Sequence, residues 1–89
     1  MISLIKIEPQ AGYILKLHFS DQHIGELDFS YLVGIKSTLT KELESLDYFN
    51  SCFIDFGALC WKNGLELSAE SLYRKCKENN ALHVNQASA

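Results

Sequence analysis

"YILKLHFSDQHIGELDFS", residues 13–30, is the stretch on which the fold turns. Its first half alternates, with Tyr13, Leu15, Leu17 and Phe19 on one face and Lys16, His18 and Ser20 on the other. A period of two marks a strand buried on one side. Asp21-Gln22 turns the chain, and residues 23–30 return as a second strand. Its alternation blurs at Gly25, where a bulge is expected. Strands joined by so short a turn pair antiparallel.

Toward the N-terminus, "ISLIKIE" (residues 2–8) is rich in β-branched side chains and ends before Pro9, with "PQAG" as the turn. A three-stranded meander therefore opens the chain. Toward the C-terminus, "YLVGIKST" leads into a predicted helix in which Leu39, Leu43 and Leu46 recur at i, i+4 and i+7. Lys41, Glu42 and Glu44 face outward, Ser37 or Thr38 supplies the cap, and the aromatics of "DYFNS" pack under the sheet.

"CFIDFGALCW" (residues 52–61) reads as a hairpin. A three-residue loop, Asp55-Phe56-Gly57, sets Phe53 opposite Leu59 and Cys52 opposite Cys60. After Trp61, Asn63-Gly64 signals a type I′ turn with both residues at positive φ. In "LSAESLYRKC", Ser68 is the N-cap, Leu67 and Leu72 flank it at the staple positions, and Glu70 pairs with Arg74. Ala69, Leu72, Tyr73 and Cys76 form the inward stripe, and Asn79-Asn80 ends the helix. "ALHVNQASA" has neither periodicity nor charge and is expected to be a flexible tail, residues 81–89. The order predicts an α+β fold: a single small domain over residues 1–80, a mostly antiparallel sheet, and helices packed on one side.

Size and charge narrow the function. The chain has 89 residues, which suits one modest core. Its formal charge is −3, from 11 acidic and 8 basic residues. Nucleic acid calls for a basic face to displace counterions, and the one local excess, "RKCK" at 74–77, falls late in a predicted helix, where cations complement the dipole. Direct nucleic-acid binding is therefore not expected. No apolar run nears the ~20 residues that span a bilayer. "MISLIKIEPQ" alternates and carries charge, unlike a signal peptide. A cytoplasmic protein with free thiols is expected, although facing Cys52 and Cys60 are placed to bridge under oxidation.

No constellation for chemistry stands out. Cys52, Cys60, Cys76 and His83 lack a C-x2-C knuckle, so no metal and no cofactor is expected. His18 and His23 lie near Asp21, Glu26 and Asp28, but a histidine–carboxylate pair on a solvated face is ordinary surface. The chain carries no nucleophile elbow, P-loop or dinucleotide fingerprint. No catalytic residue is assigned, and the chain is expected not to be an enzyme. "WKNGLELSAESLY" (residues 61–73) reads mainly as architecture, with Trp61 anchoring the sheet edge to the last helix. Its Trp and Tyr also suit contact with a partner.

That stretch resembles the W-P-N-G-x-[DE]-[LIF]-[SAD]-x-[ED]-x-L-Y ending of a family of short bacterial proteins, domain of unknown function 2442. Trp61, Asn63, Gly64, Glu66, Leu67, Glu70, Leu72 and Tyr73 match it. "LHFSDQHIGELDFSYLV" and "LDYFNSCFID" resemble its earlier segments, with Asp28 and Ser30 keeping the ends of an Asp-Leu-Ser-like triplet. Two departures are Lys62 in place of the usual proline and a shorter hairpin before Trp61. The resemblance implies a β(3)-α-β(2)-α arrangement. It also implies a protein found alone or fused to a helix-turn-helix domain, often encoded beside a second small protein in a toxin–antitoxin-like layout.

The expected function is a non-enzymatic protein-interaction module, one component of such a pair, with an unidentified protein partner or a second copy as a homodimer. The alternative is a ligand-sensing or transcription-regulatory domain lacking its own DNA-binding half. Trp61, Asn63, Gly64, Glu66, Glu70 and Tyr73 are the motif residues, mainly structural and available for partner contact.

Overall fold

The structure, a computed structural model, describes residues 1–84. The meander forms as expected: β1 (Leu4–Pro9), β2 (Ile14–Phe19) and β3 (His23–Asp28) pair antiparallel in sequence order. Leu15, Leu17 and Phe19 of β2 are buried, as the alternation requires, together with Leu4 and Leu27 of its neighbours. The β2–β3 loop is three residues long, with Gln22 in the left-handed region at φ 77° and its amide donating to the Phe19 carbonyl.

Gly25 is regular, and the bulge lies in β1 instead. Pairing with β2 slips between Leu4 and Lys6, leaving Ile5 as the extra residue, 60% exposed. Gly25 has a different reason to be glycine. A Cβ there would meet the Cys76 sulfur at 2.7 Å, because the last helix lies directly on β3.

The expected connection contains a short helix, α1 (Ser30–Val33), and the single helix expected after it breaks into short turns: α2 (Thr38–Lys41), a 3-10 turn at Glu42–Glu44, and α3 (Leu46–Phe49). Ser37 caps α2, its hydroxyl accepting from the Thr40 amide. Ser45 breaks the run. It adopts extended backbone, φ −79° and ψ 120°, and caps α3 by accepting from the Tyr48 amide. A serine hydroxyl offers the backbone this alternative to continuing a helix. The restart rotates the apolar stripe, so Thr40, Leu43 and Phe49 are buried while Leu39 and Leu46 face outward.

The hairpin also shifts by one residue. β4 (Phe53–Asp55) and β5 (Ala58–Cys60) enclose a two-residue loop, Phe56-Gly57, with both φ positive at 50° and 78°. Phe53 faces Cys60 and Ile54 faces Leu59, so Cys52 and Cys60 are not opposed and all three cysteines are free. The next turn is likewise displaced: in Trp61–Leu65 only Gly64, φ 97°, is left-handed, the Gly64 amide donating to the Trp61 carbonyl. This is a type I turn closed by a left-handed residue, which suits a three-residue hairpin loop. It creates a short strand, β6 (Glu66–Leu67), paired with β5.

Ser68 caps α4 (Ala69–Glu78), and Ala69, Leu72 and Cys76 are buried beneath it. Among the described residues Glu70 and Arg74 form no ion pair. The helix ends with Asn80 at φ 55°, its amide on Lys77 O and the Ala81 amide on Cys76 O. That Schellman closure reverses the chain, and the tail expected from residue 81 starts instead as a strand. β7 (Leu82–Val84) pairs antiparallel with the free side of β3; residues 85–89 lie outside the described residues. The result is a small α+β domain with a four-stranded sheet, β1-β2-β3-β7, and a three-stranded sheet, β4-β5-β6. Helices pack on one side around Phe19, Phe29, Phe49, Leu59 and Trp61.

Candidate functional site

The six motif residues separate into distinct places. Trp61, Asn63 and Gly64 form a clasp on the helical segment. The Trp61 indole N–H, fully buried, donates to the Phe49 carbonyl at 2.9 Å and so ties β5 to α3. Asn63 donates through its side chain to the Leu39 carbonyl at 2.8 Å and accepts from the Leu65 amide at 3.1 Å. Its own amide donates to the Tyr48 hydroxyl at 2.9 Å. A carboxamide can donate and accept at once, and here it holds its own turn while gripping a helix end. Tyr48 completes this clasp, and nothing local in the sequence marked it.

Tyr73 belongs to a second cluster, at the far end of the sheet. Its hydroxyl donates to Asp21 Oδ2 at 2.7 Å, and its ring packs edge-on against Phe19 and His23. Asp21 also accepts from the His23 amide, at 3.1 Å, and meets His23 Nδ1 at 3.0 Å. Partial burial alone raises the Asp21 pKa, but the bonds from Tyr73 and His23 outweigh it and leave the carboxyl below its ordinary value. The same carboxylate raises the Tyr73 hydroxyl. The cluster fastens α4 to the β2–β3 turn. His18 is held separately, by Glu8 on the adjacent strand, which lowers the Glu8 pKa.

Glu66 and Glu70 are exposed. Glu66 stands beside Phe53, Asp55 and Cys60 around a recess on the outer face of the three-stranded sheet. Burial, then Glu66 and Asp55, raise the Cys60 thiol. Burial likewise pushes Cys52 and Cys76 up to about 11. Thiols so held are protonated at neutral pH and poor nucleophiles. Among the described residues, no three metal-ligating side chains converge.

What sequence reading missed is the aromatic display beside this recess. Phe53 is 41% exposed, and Phe56, at the hairpin tip, is completely exposed. Reading the loop as Phe56-Gly57 alone, rather than as Asp55-Phe56-Gly57, would have turned Phe53 outward. The tip lies against the start of β1, where the Leu4 amide donates to the Gly57 carbonyl at 2.9 Å.

The family model described as protein of unknown function (DUF2442) matches residues 4–78, and the chain belongs to that family. No curated protein and no solved structure matches it.

Proposed function

We propose that this DUF2442 member is a non-enzymatic interaction module that holds a second small protein on the outer face of β4–β6, as one half of a toxin–antitoxin-like pair. The observation that carries the reading is Phe56. Position one of a two-residue loop favours Asn, Asp or Gly, because φ is positive there. A bulky side chain in the left-handed region costs about 1–2 kcal/mol. Phe56 accepts that strain at φ 50° while leaving its ring entirely in water. Local rules are broken chiefly where function demands it.

Phe53 and Phe56 supply aromatic anchors, and Asp55 and Glu66 a charged rim; aromatic anchors dominate binding energy at protein interfaces. The gene-pair layout implied by the family resemblance names the first partner to test, the product of the neighbouring gene. Co-expressed and purified, the two proteins are expected to elute together in equal amounts. Phe56→Asn relieves the turn, so it should raise the urea midpoint while releasing the partner. Co-elution unaffected by Phe56→Asn, or no co-elution with the unaltered chain, would refute the reading.

A further inference from the structure

We infer that the outer edge of β1 is a self-recognition surface, on which a second copy of this chain pairs antiparallel about a two-fold axis through Ile7. β1 is an end strand of the four-stranded sheet; among the described residues no strand pairs with its outer side, where the hairpin tip takes the Leu4 amide beyond the Ile5 bulge. The Gln10 amide donates to the Ile14 carbonyl, so by the alternation of an antiparallel ladder Lys6 and Glu8 also turn their backbone groups toward β2. Ile7 therefore turns its amide and carbonyl outward.

The usable edge is short and has fixed ends. The bulge at Ile5 interrupts it on one side, and Pro9, which has no N–H, closes it on the other. Such features commonly guard an edge against indiscriminate pairing; here they leave one register intact. Centred on Ile7, the two copies exchange a pair of Ile7 backbone bonds. Each Lys6 then stands opposite Glu8 of the second copy, at the closer, non-hydrogen-bonded spacing.

The neighbouring registers fail. Centring on Lys6 opposes two lysines and draws in the bulge. Centring on Glu8 opposes two glutamates and asks Pro9 for a missing amide. Opposite charges directly across strands attract and like charges repel, so charge and backbone select the same register. Ile5, 60% exposed, then lies against Pro9 of the second copy and gains cover. The hairpin tip meets β1 at Leu4, on the other side of the Ile5 bulge from Ile7, so it borders this surface without covering Ile7.

Sedimentation velocity over a concentration series tests the inference. The unaltered chain should show a reversible monomer–dimer equilibrium. Lys6→Glu and Glu8→Lys, each alone, set like charges at both contacts and should weaken dimerisation roughly tenfold or more. Mixing the two variants should restore it, because each contact in the mixed pair again joins opposite charges. That recovery cannot come from altered folding of either chain, and circular dichroism verifies each fold. A chain monomeric to millimolar concentration, a dimer indifferent to both swaps, or variants whose mixture stays monomeric would each overturn the inference. So would a monomer that takes up a different protein along β1.

Discussion

Gly25 shows how one residue's identity depends on a residue 51 positions away. It is flanked by Ile24 and Glu26 in an unbroken ladder, and its φ is not in the left-handed region. What excludes a side chain is Cys76, whose Sγ and Cβ would sit 2.7 and 3.1 Å from a new Cβ. Both partners belong to regular elements, so neither gives way easily. Gly25→Ala should destabilise by about 1–3 kcal/mol, the range for overpacking a filled core. Combined with Cys76→Ala the loss should be less than additive, since the sulfur that collides is gone. Urea midpoints of the four proteins check this, and additive losses would show that the clash is not the cause.

Between elements, the Tyr73–Asp21 bond is the polar contact that fastens α4 to the β2–β3 turn. The Asp21 pKa is lower folded than unfolded, so its bonds add stability that is fully present above the ordinary aspartate value. That contribution is lost as pH falls through the lowered value. Tyr73→Phe removes the hydroxyl and keeps the ring on Phe19 and His23. The variant should therefore have a lower urea midpoint at neutral pH, with the gap to the unaltered chain closing under acid. A gap independent of pH would assign the effect to packing instead. Element boundaries follow the same logic of local hydroxyls: Ser37, Ser45 and Ser68 each accept from an amide three residues ahead and start a helical turn.

At the scale of the molecule, β7 is the strand that covers β3. Without it, the amides and carbonyls on that side of β3 would face solvent and Leu82 would leave its place against the core. Ending the chain after Ala81 should cost about 2–4 kcal/mol relative to ending it after Val84. The figure combines partial burial of one leucine with two or three net ladder bonds. Thermal melts of the two truncations measure it, and equal melts would return residues 82–84 to the status of a tail.

The sequence by itself determined the meander, the cap of α4, its inward stripe and the α+β order, because each rests on neighbours within one turn or one strand. Period two along β2 needs only burial of one face, and Ser68 needs only the amide three residues on. The tertiary structure alone decided the rest. Ser45 rather than the leucine spacing ended the predicted helix, since an extended serine could cap again and bring Phe49 to the core. A one-residue choice of loop put Phe53 opposite Cys60 instead of Leu59, on the outer face of the hairpin. Tyr73 met Asp21 across 52 positions of chain, and β7 formed because β3 offered an open edge. Contacts between distant segments follow from how faces are packed together, and no local pattern of residues encodes that.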